Sequence, residues 1–262
     1  LFDFVNFAAA KLQFFLLIML RASGLFLIAP ILSHRSFPVP AKIGLVILFA
    51  LILVAAMPNA VVPEAQSLSE LVVLAVKEIF VGVAIGFLFA MLLMGVQMAG
   101  DIVSYQIGFA MSSIMDPDQG HEVTTLGQFW FLTATLIFIG INGHHIVITA
   151  FNDSYLLIPA GHVVMNGAVG EMIITYSAYV FVIALKLAAP VIVTLLLVDV
   201  AMGVVSRMMP TMNVFLLGFG VKVAVGIAIM GLSLPVFAYV LEKATGYINT
   251  ELINLLGALG RA

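Results

Sequence analysis

Four charged side chains sit where charge is costly. Arg21, Glu78, Lys186 and Lys222 each fall inside a long apolar run. A basic group at the centre of a membrane-crossing helix costs about 2.5–3.5 kcal/mol on insertion scales, so each needs a partner or water. Two of the four belong to small-residue stripes. Glu78, Gly82, Gly86 and Ala90 recur every four residues, and so do Gly218, Lys222 and Gly226. Residues four apart share a helix face, and glycine there admits a second backbone at close range. The chemistry this suggests is a buried ionic contact, between helices or between subunits. Asp199 and Arg207 stand eight residues apart on one expected helix. Two turns of helix rise about 12 Å, too far for a direct bond, so each would reach a different segment.

Groups that could carry a reaction are scarce. His121, Glu122, His144, His145 and Asp153 have no zinc-like spacing, and adjacent histidines on a helix point apart. Ser112, Ser113 and Ser154 lie in polar stretches without a nucleophile motif. The chain has no cysteine, which removes disulfides, thiolate metal sites and cysteine catalysis. No catalytic residue, cofactor or metal is therefore expected, and the chain does not read as an enzyme. Net charge is -3, so no basic surface invites nucleic acid.

The elements that must position these residues are set by composition. Of 262 residues, 63% are apolar and 9% charged, too few charges to keep a soluble domain of this size in water. The expectation is an all-α integral membrane protein with about six hydrophobic helical regions. They fall at residues 12–32, 43–62, 71–100, 128–150, 172–200 and 212–241, followed by a short amphipathic helix over 247–259. The first segment does not read as a cleavable signal peptide, because it lacks a basic n-region and carries Asp3 near its start. The basic stretch 34–42 favours the cytoplasmic side, while Glu64 and Glu70 fit the opposite one. Pro30, Pro58, Pro190 and Pro235 lie within or at the ends of apolar runs and should kink their helices.

Residues 106–120 are too polar to span and too apolar for a free loop. Irregular backbone at membrane depth must be buried in protein or line a cavity. Here Phe109, Met111, Ile114 and Met115 supply soft apolar bulk, and Gly108, Ser112 and Ser113 supply mobility. Such a segment suits a pore seal, since an apolar constriction stops ions by dewetting and methionine repacks around varied shapes.

The order and spacing of these features resemble the FliR family of flagellar and virulence type III secretion export-gate proteins. The resemblance covers about 220 residues. It is carried by Arg21 with Pro30 and Pro38, Lys77-Glu78 with Gly82 and Gly86, and Gly100-Asp101 with Gln106 and Gly108. Asp116-Pro117, Gly143-His144, Ser154 with Pro159 and Gly161, and Ala188-Ala189-Pro190 continue it. Asp199, Arg207, Pro210, Asn213, Phe215, Gly218 and Lys222 complete it.

The resemblance implies a single membrane domain over 1–262, with a FliP-like part over roughly 1–170 and a FliQ-like part over roughly 171–262. Because the sequence ends soon after its last expected span, the fused FlhB-like extension that some relatives carry is not expected. It implies kinked helical hairpins stacked in a spiral around a central pore. FliP-like, FliQ-like, FlhB-like and FlhA-like subunits and the basal-body ring would be partners, and unfolded flagellar subunits the cargo. The place would be the bacterial inner (cytoplasmic) membrane, at the flagellar basal body. Within that frame Gly108, Phe109, Met111, Ile114 and Met115 are the expected pore segment. Arg21, Glu78, Lys186, Asp199, Arg207 and Lys222 are the expected buried charges or subunit contacts, and Gly82, Gly86, Gly218 and Gly226 the close-packing positions. The alternatives are a homologous injectisome subunit and a small secondary transporter. The latter predicts an inverted repeat, which the chain does not show. A lipid-modifying enzyme would need a catalytic polar cluster.

Overall fold

Long runs of leucine, alanine, methionine and valine, broken by few prolines, favour helix throughout, because in lipid a helix satisfies its own backbone hydrogen bonds. A computed structural model of the chain describes residues 2–29, 38–57, 67–109, 124–164, 167–209 and 213–260. Within them run α1 (Phe2–Ile28), α2 (Val39–Ala56), α3 (Leu68–Ile107), α4 (Thr125–Gly140), α5 (Gly143–Leu157), α6 (Gly167–Met208) and α7 (Val214–Gly260). No strand occurs among the described residues. Among the described residues, five helices are long and apolar enough to cross a membrane, six if α4 and α5 count as one broken span. The protein is an all-α integral membrane protein.

Three boundaries differ from the sequence reading. The fourth region is two helices, because Asn142 takes the left-handed conformation (φ 59°) and ends the α4 ladder. Asn is among the few residues other than glycine that tolerate this. The expected separate helix over 247–259 is the end of α7, which runs unbroken for 47 residues. The polar residues 101–107 belong to α3, which stops at Gly108 (φ 101°). Pro190 and Pro235 lie inside helices that continue through them. Pro30, Pro58 and residues 110–123, with Met111, Ile114 and Met115, lie outside the described residues.

The chain forms two compact units. One comprises Leu1–Met91, Asn142–Tyr176 and Thr245–Ala262; the other comprises Leu92–Ile141 and Ser177–Ala244. In the first, α1 and α3 approach at backbone contact. A Cβ on Gly82 would overlap the Arg21 carbonyl, and one on Gly86 would lie 3.0 Å from the Leu25 carbonyl oxygen. Gly24 returns the contact from α1, against the backbone at Ile79 and Val83. Leu17, Ile18, Ile85 and Phe89 close the core around this crossing. Phe49 of α2 meets Phe26 at 5.9 Å and Phe151 at 6.3 Å, both edge-on. The end of α7 is fastened by the Val164 amide, which donates to the Leu259 carbonyl at 2.9 Å.

In the second unit a carboxylate sets the start of α4. Oδ1 of Asp101 accepts from the Thr124 hydroxyl at 2.7 Å and from its amide at 3.2 Å. The same hydroxyl accepts from the Gly127 amide and so caps the helix. Gly100 lets this happen, since a Cβ there would lie 2.7 Å from the Gly127 Cα. Trp130 packs edge-on to Phe237 at 5.3 Å.

The α1–α3 crossing generates a prediction. Gly82→Val should lower the thermal midpoint of the purified protein in detergent, since overpacking costs about 1–3 kcal/mol and here it meets backbone. Gly44→Ala, inside α2 at a position with no heavy atom within 4 Å of the added carbon, should not lower the midpoint and should raise it slightly, since helix-interior glycine costs about 1 kcal/mol relative to alanine. Equal midpoints for Gly82→Val and the unmodified chain would refute the close crossing.

Candidate functional site: a buried ion-pair network

The α1–α3 crossing places Arg21 beside Glu78, and both side chains are 0% exposed. Nε of Arg21 donates to Oε2 of Glu78 at 2.7 Å, and Nη2 donates to Oε1 at 3.2 Å. This is the two-pronged geometry that a planar guanidinium gives with a carboxylate. The remaining donors turn to α5. Nη1 donates to the Ser154 hydroxyl at 2.9 Å, and Nη2 to the Ile158 carbonyl at 3.2 Å. That carbonyl belongs to the residue capping the C-terminus of α5, where helix carbonyls lack internal partners. The Ser154 hydroxyl passes its own hydrogen to the Phe151 carbonyl at 2.7 Å, leaving a lone pair for the arginine.

Glu78 is satisfied from the same side. The Gly161 amide donates to its Oε1 at 2.7 Å. Gly161 has φ 82°, a turn conformation open to glycine that aims the amide inward. The Tyr155 ring lies under the guanidinium, 3.9 Å from its central carbon, in cation–π contact. One arginine thus joins α1, α3, α5 and the turn after α5. The sequence marked Arg21 and Glu78 as charges needing partners but did not pair them. Tyr155 and the Ile158 carbonyl were missed, and Ser154 and Gly161 carried no stated role. Gly161 carried a weak signal, a glycine two residues after a proline beyond an apolar run.

A second pair lies in the other unit. Lys222 of α7 meets Oδ1 of Asp199 of α6 at 2.5 Å, and Nε2 of Gln106 donates to Oδ2 at 3.4 Å. The Asp199 side chain is 41% exposed, so this pair is partly open where Arg21–Glu78 is sealed. Gly226 faces the Ile107 side chain, and Gly218 makes ordinary contact with Met202. Neither meets backbone as Gly82 and Gly86 do. Gly108 ends α3 against the Phe219 ring, and Phe109 is exposed. Lys186 and Arg207 are exposed on this chain. No group of three or more His, Asp or Glu that could hold a metal occurs among the described residues.

Chemically, the sealed network can hold shape but offers no open position to a substrate. Comparison with known proteins agrees in kind. The family model described as bacterial export proteins, family 1, matches residues 12–247. The chain belongs to this family. Its relatives include the flagellar biosynthetic protein FliR of Bacillus subtilis, 30% identical over 94% of this chain and 95% of that protein. The Escherichia coli FliR is 30% identical over 91% of this chain and 89% of its own length. That of Aquifex aeolicus is 27% identical over 80% and 81%. The FliR resemblance read from the sequence is thus a family relationship that runs nearly end to end. The matched range contains Arg21, Glu78, Ser154, Gly161, Asp199 and Lys222 alike.

The geometry predicts that charge alone does not serve at position 21. Arg21→Lys keeps the charge but loses the fork, leaving the Glu78 oxygens, Ser154 and the Ile158 carbonyl to a single ammonium. Hydrogen bonds to charged groups contribute about 1.5–3 kcal/mol, so the variant should show a clearly lower unfolding midpoint. Ser154→Ala removes one such bond and should cost about 1.5–3 kcal/mol, less than Arg21→Lys, which breaks several. An Arg21→Lys protein as stable as the original would show that the fork is unnecessary.

Proposed function

We propose that this chain is a core subunit of the flagellar type III protein export gate. In this reading it works in the bacterial inner membrane at the basal body. With FliP-like and FliQ-like subunits it forms the pore through which unfolded flagellar proteins pass, next to FlhB-like and FlhA-like components. The observation that carries the reading is the near-complete overlap with relatives named FliR. The physical character of the chain supports it. An occupied, desolvated ion pair is a joint rather than a carrier site, which speaks against the small secondary transporter. The relatives named here are flagellar, which favours that system over the injectisome.

The length of the helices favours a place in a larger assembly. At about 1.5 Å per residue, α3, α6 and α7 are about 60–70 Å long, roughly twice a hydrocarbon core of about 30 Å. Large parts of them need cover other than lipid tails. The division into a FliP-like part over 1–170 and a FliQ-like part over 171–262 belongs to this proposal. So do the spiral of hairpins and the pore segment at residues 108–115, which rests on composition.

Two outcomes test the reading. Expressed in a bacterium lacking its own FliR, together with matching FliP-like and FliQ-like subunits, the chain should restore swimming and co-purify with both. A chain that purifies alone and moves a small solute across vesicles would overturn it. In membranes holding the assembled complex, Phe109→Gly with Met111→Gly and Met115→Gly should raise ion leakage several-fold. Leakage equal to that of the unmodified complex would remove the seal from the account.

A further inference from the structure

Of the four charges set in apolar runs, Arg21, Glu78 and Lys222 are paired, and Lys186 is left over. Lys186 lies within α6, in the stretch from Met172 to Val198 between Glu171 and Asp199, and it is the one charged residue there. A span needs about 20 residues, so any span placed in that stretch contains Lys186. Its side chain is exposed and makes no ion pair or hydrogen bond with any described residue.

The surroundings are apolar. Along the same face, at helical spacing, stand Ala178, Val182, Ala189 and Val193, all exposed, with Leu185 beside them. Alanines on both sides of the lysine leave room for a second helix to come close. The backbone adds an independent demand at the same level. Pro190 lies four residues on inside the helix and has no amide hydrogen to give the Lys186 carbonyl. One turn of α6 therefore presents an ammonium and a carbonyl short of its helical donor, set in an apolar face. Lipid tails can answer neither.

We infer that this face of α6 docks an apolar helix of another export-gate subunit, and that the helix carries an Asp or Glu which pairs with Lys186 at membrane depth. The inference rests on the proposed place of the chain in an export gate and names the chemistry of one contact within it. Charge complementarity selects the occupant. A purely apolar helix would bury the ammonium unpaired, whereas a carboxylate turns the cost into a desolvated pair of the kind Arg21 and Glu78 already form. A second copy of this chain would set Lys186 near Lys186 in a symmetric contact.

The test uses the full chain co-expressed with its FliP-like and FliQ-like partners in membranes. A photoreactive side chain placed at Ala189 should cross-link to a peptide from another subunit, and sequencing by mass spectrometry should find an Asp or Glu within one helical turn of the attachment point. Lys186→Glu should reduce recovery of the complex at least tenfold. Lys186→Met should reduce it less, and Lys186→Arg should leave it near normal. Reversing the identified acid to lysine should restore recovery with Lys186→Glu. Resistance of each variant to protease before assembly separates a docking defect from misfolding. Attachment to lipid, attachment to a second copy of this chain, or a Lys186→Glu complex recovered at the normal level would overturn the inference while leaving the export-gate reading intact. A normal chain that recovers no partner at all would instead overturn that reading.

Discussion

A guanidinium and a carboxylate, both stripped of water, sit at the crossing of α1 and α3, and much else in that unit follows from keeping them satisfied. Removing two ions from water costs several kcal/mol each, so the pair is tolerable only if nearly every polar atom finds a partner. This requirement explains otherwise unrelated features. Gly24, Gly82 and Gly86 bring the helices close enough for the fork to form. Ser154 and the Ile158 carbonyl take the remaining guanidinium hydrogens. The left-handed turn at Gly161 exists where its amide must reach Glu78. Each glycine inside a helix costs about 1 kcal/mol relative to alanine, a cost offset here by the contact it admits.

The network also has a direction. Around Arg21 the neighbours are acceptors, a hydroxyl lone pair and a carbonyl, whereas Glu78 receives a backbone amide. The two charges are not interchangeable, because the polarity of the shell is fixed by the backbone. A shell of this kind selects one packing of three helices and rejects shifted registers, since sliding by one turn would leave both ions without partners. Such a joint gives the unit that contains it one defined packing.

Much of this was legible in the sequence, and the illegible part has a physical reason. Composition and apolar runs determined the helical membrane class. The four-residue recurrence of Glu78, Gly82 and Gly86 pointed to a tight, charged helix contact. What periodicity could not supply was the partner, because Arg21 and Glu78 are 57 residues apart and pairing at that range is decided by tertiary packing. The break at Asn142 was hidden because one left-handed residue interrupts a run whose hydropathy stays high on both sides. The continuity of α7 was hidden for the opposite reason. Glu242, Lys243 and Gly246 look like a helix end, yet the helix passes through them. Lys222 was marked as a charge needing a partner, but Asp199 was weighed against Arg207 on its own helix rather than against α7.

Arg21 and Glu78 act as one unit. A double-mutant cycle on the protein assembled with its partners tests this most directly, with Arg21→Met, Glu78→Met and the two together compared by thermal unfolding midpoint. Each single change should destabilise by about 3–5 kcal/mol, because it leaves the other charge buried and unpaired, and the double change should cost far less than the sum. Single variants that unfold where the original does, or a double variant that loses the full sum, would contradict the account.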